Sequence, residues 1–576
     1  MSNQLQGGPK APKDPTKKRK GFFIMRNKSV AGSPMPDGTG TQFIYLDCGR
    51  MITAAGMVGN IKDKNILDLL TTVEGFRKLV HSIGVTVECE NKEETVEFHF
   101  QMYGKTDPYK SGTTLKLPVK ADGMEQILHL EECEWSEDDN IPGQARFVFE
   151  KAGTLATVAV KFYLHEGFEV PEIEEENPVD FTSPYYPEML SKAIMQTGNN
   201  YRLKKAIEKA RRGEDVTIAF IGGSITQGAG AVPINTECYA YKTYKAFCDV
   251  VGKTTEENVH YIKAGVGGTP SEFGMLRYER DVLSEGTVEP DVVVVEFAVN
   301  DEGDETKGEC YDSLVRKILN SPNKPAVILL FAVFANDWNL QERLGPVGVA
   351  YDLPMVSTRN TVVEQFYKKP GEGRVVSKNQ FFYDVFHPTS IGHTIMADGI
   401  KHLLEVVDKQ EQASEDVDIS KINPPLGGEF ENVKLLDRKQ SYAEAQIDCG
   451  DFKETDTELQ AVERNMDLTH TPQLPYNWMY QGAKAEEDAK PFTMDITCTA
   501  LLLIAKDSAS AAVGCADVYV DGEKVLTYDP HQVGWTHCNP VIVFRGKERR
   551  SYHVEVRMCE GDENKDFTIL GFGYVE

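Results

Sequence analysis

Positive charge is scarce in this chain: 62 Lys and Arg stand against 89 Asp and Glu over 576 residues, a formal net charge of −27. That balance argues against nucleic acid and against an anionic membrane surface as partners. It suits a neutral substrate, and it equally serves to keep a protein dispersed. Long apolar runs are missing too. None approaches the roughly 20 residues of a membrane span. Residues 1–20 are polar, rich in Lys and Pro, and hold no apolar stretch of the kind a secretory signal uses. The 11 cysteines form no C-x-x-C pair and no zinc-ligand pattern, so they read as small core residues in a reducing, cytoplasmic compartment. The basic cluster Lys17-Lys18-Arg19-Lys20 reads as part of a disordered tail rather than as an address. No internal repeat or low-complexity tract occurs.

What is present is globular: 41% apolar and 26% charged residues, in a chain too long for one core. Residues 1–35 are expected to be a disordered or extended N-terminal segment. Residues 36–180 alternate polar and apolar positions at 86–89, 95–100, 145–149 and 157–162, which predicts a β-sandwich accessory domain. An acidic stretch at 172–178 reads as a linker. From 185 to 415 the texture changes to apolar strands (215–221, 259–263, 291–297, 325–333) separated by helices near 199–212, 236–251, 269–285, 308–320 and 389–407. That pattern predicts an α/β domain with a doubly wound parallel sheet, its loops gathered at the strands' C-terminal edge. Residues 427–576 are β-rich again, with a hairpin at 517–525 turning on Asp521-Gly522. They are expected to form a jelly-roll-like sandwich.

Four short stretches carry the chemistry. Ile221-Gly222-Gly223-Ser224-Ile225-Thr226 places a serine after an apolar strand, with little steric cover and an N–H at the start of the next helix. A lone serine there is ordinarily a helix cap. The spacings G-x-G-x-x-G, G-x-x-x-x-G-K-[ST] and G-x-S-x-G are all absent, which removes nucleotide binding by those loops and the α/β-hydrolase elbow. Asp384-Val385-Phe386-His387-Pro388 sets a carboxylate and an imidazole three residues apart, the pair that orients a general base. His393 is a rival base, but it falls inside the predicted helix without such a carboxylate and reads as structural. Phe297-Ala298-Val299-Asn300-Asp301 puts an amide at another strand end. Ala264-Gly265-Val266-Gly267-Gly268-Thr269 adds a loop N–H, and the two are the parts of an oxyanion hole. Each also occurs in ordinary turns.

The order G-G-S-I-T, A-G-V-G-G-T, V-E-F-A-V-N-D, D-V-F-H-P resembles the four blocks of the SGNH (GDSL-like) hydrolase superfamily. The resemblance covers about residues 199–409. It implies a nucleophile at Ser224, oxyanion donors at Ser224, Gly268 and Asn300, and the final pair at Asp384 and His387, with no metal or cofactor. Two blocks depart from the common pattern, G-G-S-I for G-D-S-L and A-V-N-D for G-x-N-D. The first departure is similar to carbohydrate-acetyl esterases of the superfamily, which implies acetylated xylo- or manno-oligosaccharides as substrate. Trp338, just past a strand end, is the candidate for stacking on a pyranose; packing of its own loop is an equal reading. Trp478 and Trp535 suit the same role. Two rivals stand beside the acetylesterase: a lipid or lysophospholipid esterase, and a carbohydrate-binding scaffold without catalysis. Oligomeric state is not encoded in any of these features.

Overall fold

The computed structural model describes residues 19–576 except 175, 253–256, 464–469 and 485–488. Residues 1–18, with Lys17 and Lys18, lie outside the described residues. At the centre is a six-stranded sheet in the order Ile194–Gln196, Met355–Ser357, Ala326–Phe331, Val292–Glu296, Val216–Gly222, Val259–Gly265. Five of these strands run parallel. The four expected apolar runs are all present, Val259–Gly265 at one edge and the other three inside, and every residue of Val292–Glu296 and Ala326–Phe331 is buried, as a sheet covered on both faces requires. The expectation of an all-parallel sheet needs correction: Ile194–Gln196 is antiparallel to Met355–Ser357. A three-residue edge strand reached without a crossover is free to run either way.

Two antiparallel sheets precede this domain. One holds Gly21–Ala31, Leu155–Leu164, Val80–Cys89 and Gln126–His129; the other holds Ser33–Pro34, Gly40–Tyr45, Asp139–Phe149, Thr95–Gly104 and Thr114–Lys120. They share one apolar core, with Phe22, Phe76, Phe98, Phe100 and Phe162 at its heart. The first strand corrects the expectation for residues 1–35. Gly21–Ala31 belongs to the sandwich, pairing with Leu155–Leu164 and burying Phe22, Ile24, Met25 and Val30. The polar tail before it had hidden the apolar run Phe22 to Met25. Nor is the acidic connector a free linker. Glu174 pairs with Arg374 at 3.0 Å, and Glu176 accepts from Asn379 at 2.7 Å and from Ser377.

After the helix Ser390–Lys409, two more antiparallel sheets enclose a second core around Trp478, Phe492, Phe567 and Phe572. The hairpin Ala516–Val520/Glu523–Tyr528 turns on Asp521 (φ 52°) and Gly522 (φ 83°), the paired positive φ values of a type I′ turn. This sandwich is not separate from the centre. Leu502, Ile504, Cys538 and Leu570 lie in the same apolar cluster as Ile221, Val295 and Phe297 of the central domain. Among the described residues no helix is long and apolar enough to cross a membrane.

Candidate active site

Ser224 opens the short helix Ser224–Gln227 directly after the strand Val216–Gly222. Its backbone N–H, in the first turn, has no intrahelical acceptor. Both preceding glycines are forced by packing. A Cβ on Gly222 would lie 2.1 Å from Thr226 Oγ1, and one on Gly223 would lie 2.3 Å from Asn300 Oδ1 and 2.6 Å from its Nδ2. The amide of Asn300 therefore rests against the residue that precedes Ser224. The neighbouring strand ends in Gly265, where a Cβ would strike the backbone N of Gln227 at 2.1 Å. Two strand ends and one helix start thus converge with nothing larger than hydrogen between them.

His387 Nε2 lies 2.9 Å from Ser224 Oγ. Its Nδ1 faces Asp384 at 2.8 and 3.0 Å. The same carboxylate accepts the backbone N–H groups of Phe386 and His387, each at 2.8 Å. Surrounding protein raises the Asp384 carboxyl, but the His387 ring and these two N–H donors outweigh it and hold the group below the ordinary carboxylate range. Asp384 ionised fixes the tautomer with Nδ1–H, which leaves Nε2 as the acceptor for the serine hydroxyl. This arrangement can take a proton from Ser224 and stabilise the imidazolium that results.

His393, the rival, sits in the helix Ser390–Lys409 and is fully buried. Its Nδ1 accepts the N–H of Tyr239 at 3.1 Å, and its Nε2 donates to the carbonyl of Ala229 at 3.0 Å. Burial pushes its pKa down to about 3. It holds loops together as a neutral ring. Pro388 stands just before the cap of that helix rather than within its first turn, since the Thr389 hydroxyl accepts from Gly392 N–H at 3.2 Å.

Gly268 takes φ 72° on an exposed loop, a conformation glycine adopts without penalty. What covers it comes from the C-terminal sandwich. A Cβ there would meet Trp535 Cζ2 at 2.7 Å. His537 Nε2 donates to the carbonyl of Gly268 at 3.2 Å, and Gln460 Nε2 donates to that of Gly267 at 2.8 Å. His537 is backed by Asp507 at 3.1 Å, and Asp507 by the hydroxyl of Tyr528 at 2.5 Å. Sequence reasoning named Gly268 and missed these contacts to its loop. It also missed Arg277, wholly buried, whose guanidinium donates to the carbonyls of Gly222 (2.9 Å) and Ala264 (2.8 Å) and ties the two strand ends together.

The three tryptophans separate. Trp478 is 4% exposed and lies in the C-terminal core. Trp535 is 43% exposed beside Gly268. Trp338 is half-buried, packed on Phe334 at 6.0 Å; Phe334 meets Phe386 at 5.0 Å, next to the ring of His387. Its indole therefore packs its loop while bordering the site.

With this geometry in place, residues 220–395 match the model of the GDSL-like lipase/acylhydrolase family. The central domain is a GDSL-like hydrolase domain. A two-domain esterase active on acetylated mannans has a crystal structure 29% identical to this chain, with a TM-score of 0.56, covering 67% of this chain and 99% of its own. The structure of such an esterase co-crystallised with mannopentaose is 28% identical, with a TM-score of 0.55, covering 67% of this chain and 98% of its own. No curated protein matches the chain. The GDSL-like domain thus stands among carboxylic ester hydrolases, with a carbohydrate esterase as its structural neighbour.

Proposed function

We propose that this chain is a serine esterase that removes O-acetyl groups from plant hemicellulose oligosaccharides, with mannan-derived chains ahead of xylan-derived ones. One observation carries the reading: the Ser224 hydroxyl lies 2.9 Å from the His387 ring, which Asp384 orients from behind. His387 takes the Ser224 proton as Oγ attacks the acetyl carbonyl. The N–H groups of Ser224 and Gly268 and the amide of Asn300 face the oxyanion. The protonated ring then gives its proton to the departing sugar hydroxyl, leaving an acetyl-serine. Water, deprotonated by the same ring, releases acetate and restores Ser224.

The sugar reading is supported by two partly open aromatic rings, Trp535 beside Gly268 and Trp338 next to the Phe334–Phe386 pair at His387, whose faces suit pyranose C–H groups. The order of mannan before xylan rests on the neighbour active on acetylated mannans. We read both flanking sandwiches as jelly-roll-like and the C-terminal one as carbohydrate-binding. The cysteines, none of them in a disulfide among the described residues, support a reducing, cytoplasmic location.

The test is mass spectrometry of acetylated mannan and xylan digests before and after treatment, with Ser224→Ala as control. Loss of acetyl mass increments with the native chain alone is the expected result. Acetate release by Ser224→Ala at the native rate would overturn the reading. Faster turnover of long-chain than acetyl aryl esters would point to a lipid esterase instead.

A further inference from the structure

Lys28 is a cation in an unusual place. Its strand, Gly21–Ala31, belongs to the N-terminal sandwich, yet only 2% of the residue is exposed. Between Met25 and Lys28 the pairing with Leu155–Leu164 slips, and Asn27 takes φ 50°. A bulge of this kind re-aims the side chain that follows it. Lys28 leaves its own sheet and enters the central domain, where its ammonium donates to the carbonyl of Asn379 and, at 2.6 Å, to that of Phe382. Burial lowers its pKa to about 7 against the pull of Glu176 and Asp384, both near enough to favour the charged form. A buried ammonium is costly unless hydrogen bonds and opposite charge offset the lost water. Here both do, and both lie under the acid–base loop.

The mechanical link is a single peptide. The carbonyl of Phe382 and the N–H of Tyr383 belong to the same planar unit, which barely twists. The carbonyl is held by Lys28, and the Tyr383 N–H donates to the carbonyl of His387 at 2.7 Å. Phe382 also bridges to Pro388. Moving the ammonium therefore tilts the plane on which the His387 backbone rests.

We infer that Lys28 is a positioning residue for the esterase site, through which the N-terminal sandwich sets the seat of His387 and adds positive charge beneath the Asp384–His387 pair. This rests on His387 being the general base proposed above. The charged and titratable groups facing the pair are Lys28, Glu176 from the connector, Tyr383 on the loop itself, Arg50 over the Phe386 ring at 5.8 Å, and the neutral His393. Removing the Lys28 charge makes protonation of His387 easier. The base is then lost at a higher pH.

The experiment uses the full chain with Lys28→Met, which keeps length and loses charge and donors, and Lys28→Gln, which keeps a donor. On an aryl acetate, kcat should fall about 10- to 100-fold for Lys28→Met and less for Lys28→Gln. KM should stay within about twofold. The acid limb of the kcat/KM profile should move up by roughly half a pH unit or more in both. A native kcat, or an unmoved acid limb, overturns the inference. If Lys28→Met does not fold on thermal melting, Lys28→Gln alone is read by the same two criteria. An inactive native chain would instead sink the esterase reading. Lys28 is then judged by NMR titration of the His387 ring with labelled histidine: a raised midpoint in Lys28→Gln upholds the charge effect, and an unchanged one overturns it.

Discussion

His537, a residue of the C-terminal sandwich, donates through Nε2 to the carbonyl of Gly268, a residue of the loop after the strand Val259–Gly265 and 269 positions earlier in the chain. Its other nitrogen faces Asp507. The loop's outer face is thereby fixed by a domain that supplies no part of the Ser224, His387 and Asp384 set.

His537→Ala should leave the loop free to rotate its peptides. We expect kcat on an aryl acetate to fall about 10- to 100-fold, the range for a misplaced oxyanion donor, with Gln460→Ala giving a smaller loss. Steady-state kinetics at several substrate concentrations separates this from a KM effect. A native kcat in His537→Ala would remove the support role.

Gly223→Ala places a methyl 2.3 Å from Asn300 Oδ1, so the amide must retreat. Activity should drop about 10²-fold, while overpacking lowers stability by about 1–3 kcal/mol. A variant that melts and turns over like the native chain would show that Asn300 lies elsewhere in solution.

Asp384→Asn removes the charge while keeping the shape. An amide at this position can hold His387 in the wrong tautomer, and kcat should fall about 10⁴-fold as in other triads. Because the native carboxyl is held below its ordinary range, it stays ionised well into acid. A loss of activity on acidification that sets in within the ordinary carboxylate range would contradict this.

Glu296, fully buried at the end of the strand Val292–Glu296, accepts only the Thr226 hydroxyl, at 3.2 Å, among the side-chain hydrogen bonds of the described residues. Burial raises its pKa from 4.5 to about 8. The folded state then holds a proton that the unfolded chain releases, and stability falls as pH rises from about 4.5 to about 8. Glu296→Gln mimics the protonated form and lacks that slope. Its melting advantage over the native chain should grow with pH across this window, reaching a few kcal/mol, since each tenfold change in proton affinity is worth about 1.4 kcal/mol. Parallel melting curves at about pH 5 and about pH 8 would refute the raised pKa.

The inner strands of the central sheet were readable because a strand covered on both faces must be largely apolar, as 216–221 and 292–297 are apart from Thr217 and Glu296. Met355–Ser357 and Ile194–Gln196 escaped notice because three residues carry no period. The helix Gln341–Ala350 contains Pro346, which reads as a breaker. Ser224, His387 and Asp384 were found by type and spacing, and they meet within hydrogen-bond distance. Lys28, Arg277, Gln460 and His537 gave no signal. Each reaches the loops around Ser224 and His387 through a backbone carbonyl, which every residue owns, so nothing in the sequence marks that contact. Among the tryptophans, Trp535 follows a glycine in a turn and stays open, whereas Trp478 lies in a short strand and is swallowed by the core.

The apolar cluster that joins Ile221 and Phe297 to Leu502 and Leu570 has a practical meaning for anyone trimming this chain. A cut near residue 427 would not release a tethered module; it would strip one wall from the half of the central domain that carries the strand leading into Ser224. The fragment left behind would present oily surface to water and should be recovered as a precipitate, not as a weaker enzyme.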